Sequence, residues 1–131
     1  MGAVRETGAI VMLDDYHRSW ALRYIREAKD ELEISQKASK PLNLIVDAAR
    51  KAQAAIYYSL GDPSCIENVV NEIYEEANLI TNPVLRCLVE IERNLQKLER
   101  LPTSASEEAR KEAYEITWVA SEIVDLLTCE D

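Results

Sequence analysis

Covalent catalysis by a serine or cysteine needs a base beside the nucleophile, and that base is most often histidine. This chain has one histidine, His17, so a Ser-His-Asp or Cys-His arrangement would have to run through it. Its place at the start of the first helix instead makes it a half-exposed first-turn residue. Carboxylates are abundant, 24 of 131 residues. Glu72-x-x-Glu75 and Glu112-x-x-Glu115 each set two carboxylates on adjacent turns of one helix face, the donor set that an all-oxygen Mg²⁺ site requires. A carboxylate-bridged two-metal site in a bundle would need Glu-x-x-His on two helices, and no such motif occurs. The three glycines stand too far apart for a phosphate-cradling loop. Arg18, Arg23 and Arg26, with Trp20 and Tyr24 nearby, offer a cationic face for an anion or RNA. Tyr57-Tyr58 offers something different. Two adjacent rings on a helix cannot both face one core, so one of them is expected at solvent or in a partner interface.

These residues must be held by helices. From Leu42 to Pro63, small and apolar residues recur at Ile45, Ala48, Ala49, Ala52, Ala55, Ile56 and Leu60, three and four apart, a continuous helical stripe. Its alanines leave room for neighbours to come close, which is what a central helix needs. The first helix is expected from Asp14 or Asp15 as cap to about Ala38, with Ala21, Tyr24, Ile25, Ala28, Leu32 and Ser35 inward. Gly61 ends the central helix. Asp62-Pro63 starts a third helix, with Ile66, Val69, Val70, Ile73, Ala77 and Ile80 on one face. Asn82-Pro83 starts a fourth, through Val84, Leu88, Ile91, Leu95 and Leu98. A capping box at Ser104 and Glu107 opens a fifth, through Ala113, Ile116, Ala120, Ile123 and Leu127. No segment alternates with a period of two. The expected fold is all-α: an up-and-down bundle of four to five antiparallel helices over residues 14–131, behind a flexible arm at 1–13.

A chain of 131 residues suits one domain. No run approaches the roughly 18 apolar residues of a membrane span, and the N-terminus makes a poor signal peptide; a cytoplasmic protein is expected. Cys65, Cys87 and Cys129 read as free thiols, two of them in helix cores. The net charge of -9 is unevenly spread. Residues 16–51 carry eight Lys/Arg against five Asp/Glu, and residues 62–131 carry six against sixteen. So acidic a chain is a poor nucleic-acid binder. The two halves could meet within the fold or across a dimer.

Two resemblances bear on function. The paired Glu-x-x-Glu helices look like the motif of the all-α nucleoside triphosphate pyrophosphohydrolases, which implies Mg²⁺ held by Glu72, Glu75, Glu112 and Glu115 against substrate phosphates. REAKDELEIS (Arg26 to Ser35) and AARKAQAAIYYSLGD (Ala48 to Asp62) resemble the opening helix pair of HEPN-type domains. Ribonuclease members of that superfamily carry an Arg followed four to six residues later by His on a later helix. No histidine follows His17 here, so that activity is not implied. What remains implied is the non-catalytic role: dimerising, binding a partner protein, or presenting a substrate to a separate enzyme such as a nucleotidyltransferase. The leading expectation is therefore a helical-bundle protein without its own catalytic centre, acting as a homodimer or helical partner. Tyr57, Tyr58, Arg18, Arg23 and Arg26 are its expected contacts. A metal-dependent nucleotide pyrophosphohydrolase is the alternative.

Overall fold

Helix starts obey the local chemistry. The structure, a computed structural model, describes residues 14–79 and 81–129, the side chains of 77–79 excepted; the expected arm at 1–13 lies outside the described residues. Helix α1 (Asp15–Ser35) begins where the Asp14 carboxylate accepts the His17 N–H at 2.8 Å. Helix α2 spans Leu42–Leu60. Asp62 caps α3 (Pro63–Ile73) by accepting from Ser64 N–H, and Asn82 caps α4 (Pro83–Glu99) by accepting from Val84 and Leu85 N–H. In both helices proline takes the first position, where a missing N–H costs nothing. Helix α5 is Ser106–Thr128. Between α2 and α3, Gly61 has φ +145°, a torsion that side-chain-bearing residues rarely adopt.

Three boundaries differ from expectation. Helix α1 stops at Ser35, short of Ala38. Helix α3 stops at Ile73 and the chain continues as a 3₁₀ segment, Tyr74–Leu79, with a kink at Glu76. Tyr74 is held to α4: its hydroxyl donates to Gln96 Oε1 at 3.3 Å and Arg93 lies over its ring. Of the residues expected to continue the α3 stripe, the Ala77 side chain and Ile80 lie outside the described residues. The Ser104–Glu107 capping box does not form. Helix α5 begins after Ala105 with no side-chain cap, Ser106 donates its hydroxyl to the Thr103 carbonyl, and Glu107 pairs with Arg110.

Helix α2 touches all four other helices, most extensively α1 and α5. The seam among these three is lined with alanine: Ala21 and Ala28 from α1, Ala48, Ala49, Ala52 and Ala55 from α2, Ala109, Ala113 and Ala120 from α5, all with no exposure. Small side chains bring backbones close, so dispersion contacts replace side-chain bulk. Larger residues fill the rest, among them Ile45, Ile56, Leu95, Leu98, Val89 and Val124, each contributing roughly 1.5–3 kcal/mol on burial.

Cross-contacts set the directions. His17 meets Tyr58, and Lys51 meets Glu27 and Glu31, so α1 and α2 run antiparallel. Arg50 meets Glu99 while Leu60 lies by Val84, so α4 opposes α2. Arg110 bonds to Ser35 while Leu127 lies near Leu60, so α5 runs with α2. Helices α1, α2, α4 and α5 therefore form an up-down-up-down bundle, and α3 lies over α2 and α4. The fold is all-α, with no strand among the described residues, and none of its described helices is long and apolar enough to cross a membrane. Cys65 and Cys129 are exposed and Cys87 is half-buried. The expected pair of core cysteines is thus corrected: these positions fall beside the apolar stripes rather than on them.

Candidate functional site

The densest polar chemistry lies between α2 and α4. Arg50 faces Glu92 and Glu99, which are seven residues apart and so on one stripe of α4. Its guanidinium reaches Glu92 Oε1 at 2.9 Å and Glu99 at 2.8 and 3.0 Å. Gln53 Oε1 accepts a further Arg50 N–H at 2.9 Å. Gln53 Nε2 donates to Glu92 Oε1 at 2.6 Å and to the Tyr57 hydroxyl at 2.9 Å, and Gln96 donates to Glu92 Oε2 at 3.0 Å. Burial alone would push the Glu92 carboxyl up; the hydrogen bonds from Arg50, Gln53 and Gln96 outweigh it and hold it below the ordinary carboxylate value. The Tyr57 hydroxyl is pushed up to about 12 by burial and by the Glu92 and Glu67 charges. With α3 residues Ser64, Glu67 and Asn71, this network lines a polar pocket of about 400 Å³. Its donors and acceptors are spent largely on one another. A carboxylate so stabilised is a weak general base, and the network ties α2 to α4. Sequence reasoning passed over it; Arg50 and Gln53 beside an alanine stripe, opposite Glu92 and Glu99 seven apart, were the available signal.

A second charged cluster joins α1 to α2. Lys51 Nζ lies 2.6 Å from Glu31 and 3.1 Å from Glu27, with Asp47 at 3.5 Å. Glu31 is pushed above the ordinary carboxylate value by burial and by Asp47, against the pull of Lys51. The Glu31 hydrogen bond, chiefly, holds the Lys51 ammonium above the usual lysine range.

The expected contact residues occupy several different environments. Tyr57 is buried, 6 % exposed, in the polar network. Tyr58 is half-buried on another side of α2, 5.7 Å from the Tyr24 ring and 6.2 Å from Trp20 by centroids, with His17 at 5.8 Å. The leftover-ring expectation is therefore corrected: α2 is a hub with neighbours on several sides, so adjacent rings each find one. Arg23 is exposed, bonded to Glu27 and stacked over Trp20 at 4.9 Å. Arg26 is exposed and Arg18 half-buried. His17 Nδ1 lies 2.9 Å from the Asp14 carboxylate, part of the helix cap. Acidic and basic halves do meet within the fold, through Arg50 and Glu92.

Glu72 is on α3 and Glu75 beyond its end; Glu112 and Glu115 are on α5, which packs mainly on α1 and α2. All four are exposed. Among the described residues no three His, Cys, Asp or Glu side chains converge to hold a metal ion.

A different surface stands out at the end of the bundle where α2 and α5 finish and α4 begins. Ile56, Leu60, Pro83, Val84, Cys87, Leu88, Ile123, Leu126 and Leu127 line a groove of about 320 Å³. Leu126 is 80 % exposed, Val84 53 % and Leu127 42 %. Leu126-Leu127 is an adjacent apolar pair on a peripheral helix, where a leftover side chain does reach solvent. No protein-family model, curated protein or solved structure matches this chain.

Proposed function

We propose that the chain is a non-catalytic helical-bundle module that pairs with a second copy of itself through the apolar groove of α2, α4 and α5. The observation that carries this is Leu126, which lines the groove and is also its most exposed apolar side chain. A patch holding both a cavity and a projecting leucine is self-complementary under a two-fold axis: each copy's leucine can enter the other's groove. Charge agrees. Exposed charges adjacent in sequence to groove residues include Arg86 on α4 and Glu122 and Asp125 on α5, so α4 of one copy against α5 of the other can pair opposite signs. The resemblance to HEPN-type domains lends support, since non-catalytic members of that superfamily act by dimerising or by holding a partner protein. Three cysteines without a disulfide suit the cytoplasm.

The test is solution mass by light scattering at about 50 and about 500 mM salt, where screening differs severalfold. A dimer at both salts is expected from an apolar contact, and Leu126→Glu should leave a monomer with unchanged helical content by circular dichroism and a melting temperature that no longer depends on protein concentration. A wild-type monomer at both salts, or a Leu126→Glu dimer, would overturn self-association through this groove; the monomer would direct attention to a different protein partner.

A further inference from the structure

We propose that the cleft between α1 and α5, which shares no lining residue with the self-association groove, binds a small aromatic anion. Three of the buried helical hydroxyls share one habit. Ser35, Ser59 and Thr128 each donate to a carbonyl three or four residues back, at 2.6, 2.9 and 2.7 Å. Thr117 does not. It is 3 % exposed, and its Oγ1 is buried with no hydrogen-bond partner. An unspent buried hydroxyl costs stability unless something completes it, and Thr117 lines a cleft of about 360 Å³, within the size range of ligand sites.

The surroundings define what would complete it. Trp118 and Tyr114 line the same cleft and are 56 % and 61 % exposed, offering ring faces to a flat apolar body, with Leu32 beneath. Arg110 is anchored by donating to the Ser35 carbonyl at 3.1 Å, to Ser35 Oγ at 3.4 Å and to Glu107 at 2.7 Å; a guanidinium has five N–H groups, so donors remain. Lys29 lines the cleft and forms no ion pair among the described residues. Two carboxylates stand near these two cations: Glu33 lines the cleft, and Glu107, outside it, is already paired with Arg110. Lys29 is the cation left uncommitted, which fits a monoanion: an aromatic carboxylate whose ring lies on Trp118, whose charge meets Lys29 and the remaining Arg110 donors, and which bonds to the Thr117 hydroxyl.

The probe is 2-naphthoate, monitored by the Trp118 indole N–H signal in ¹⁵N-correlated NMR spectra, assigned by its loss in Trp118→Phe. A saturable shift is expected, with 2-naphthalenemethanol, the neutral analogue, binding at least severalfold more weakly. Thr117→Val should weaken naphthoate about tenfold while leaving the melting temperature equal or higher, because it removes an unpartnered buried hydroxyl. Lys29→Gln, at an exposed position, should also weaken it. No saturable shift up to about 10 mM naphthoate, equal affinity for the neutral analogue, or unchanged affinity in Thr117→Val would each overturn the proposal.

Discussion

Arg50 and Glu92 show how a charged pair enters an alanine-rich bundle without disrupting it. Glu92 is 9 % exposed, and a carboxylate there persists only because Arg50, Gln53 and Gln96 all donate to it. Arg50→Met should therefore destabilise the fold by roughly 3 kcal/mol at pH 7, chiefly because the Glu92 carboxylate would stay buried without its cation. The same pair sets the sign of the pH dependence. Glu92 lies below its ordinary value of 4.5 in the folded chain and near that value unfolded. Its contribution is therefore complete above about pH 4.5 and is lost as pH falls through the lower folded value. Urea unfolding at pH 7, 4.5 and 3 should show the wild-type advantage over Arg50→Met shrinking on the acid side; a constant gap would mean that another interaction carries it.

Helix ends show which local signals are used and which are bypassed. Asn82 accepts from two backbone N–H groups at 2.9 and 3.2 Å, so Asn82→Ala should cost about 1 kcal/mol. Ser104 sits in the 3₁₀ turn Thr103–Ala105 and caps nothing, so Ser104→Ala should change stability by less than about 0.3 kcal/mol. Denaturant midpoints of the two variants, compared directly, check this, and equal losses would restore the capping box. Gly61→Ala meets no neighbour, since nothing lies within 4 Å of an added Cβ. Its cost is torsional, on the order of 1–2 kcal/mol, from forcing alanine to φ +145°.

The up-down-up-down arrangement decides which distant residues share a surface. It carries Glu72 on α3 away from Glu112 and Glu115 on α5, so four exposed carboxylates stay in separate places. Mg²⁺ at about 10 mM should therefore move the melting temperature by less than about 1 °C. A site occupied at a hundredfold excess over its dissociation constant would raise it by several degrees. A rise of that size in a thermal-shift titration would revive the phosphohydrolase alternative. The same arrangement gathers the ends of α2 and α5 and the start of α4 at one pole, which is what creates the groove around Leu126.

The sequence by itself determined the class of fold and most of its elements. Asp14, Asp62, Asn82, Gly61 and the prolines act through bonds to their own neighbours, and periodicity at three and four marks a face whatever lies opposite it. The alanine stripe was enough to identify α2 as the central helix, because only close neighbours require so little bulk. What only the tertiary structure decided was pairing. Arg50 with Glu92, Arg110 with the Ser35 carbonyl and Leu126 beside Val84 join residues 42 or more positions apart. Nothing local in a helix says which neighbour its flanks will meet. The tyrosine pair makes the same point: on a peripheral helix one of two adjacent rings would be left over, but on a hub both find a place. Function depends on pairing, so the groove and the cleft became visible only once the helices were packed.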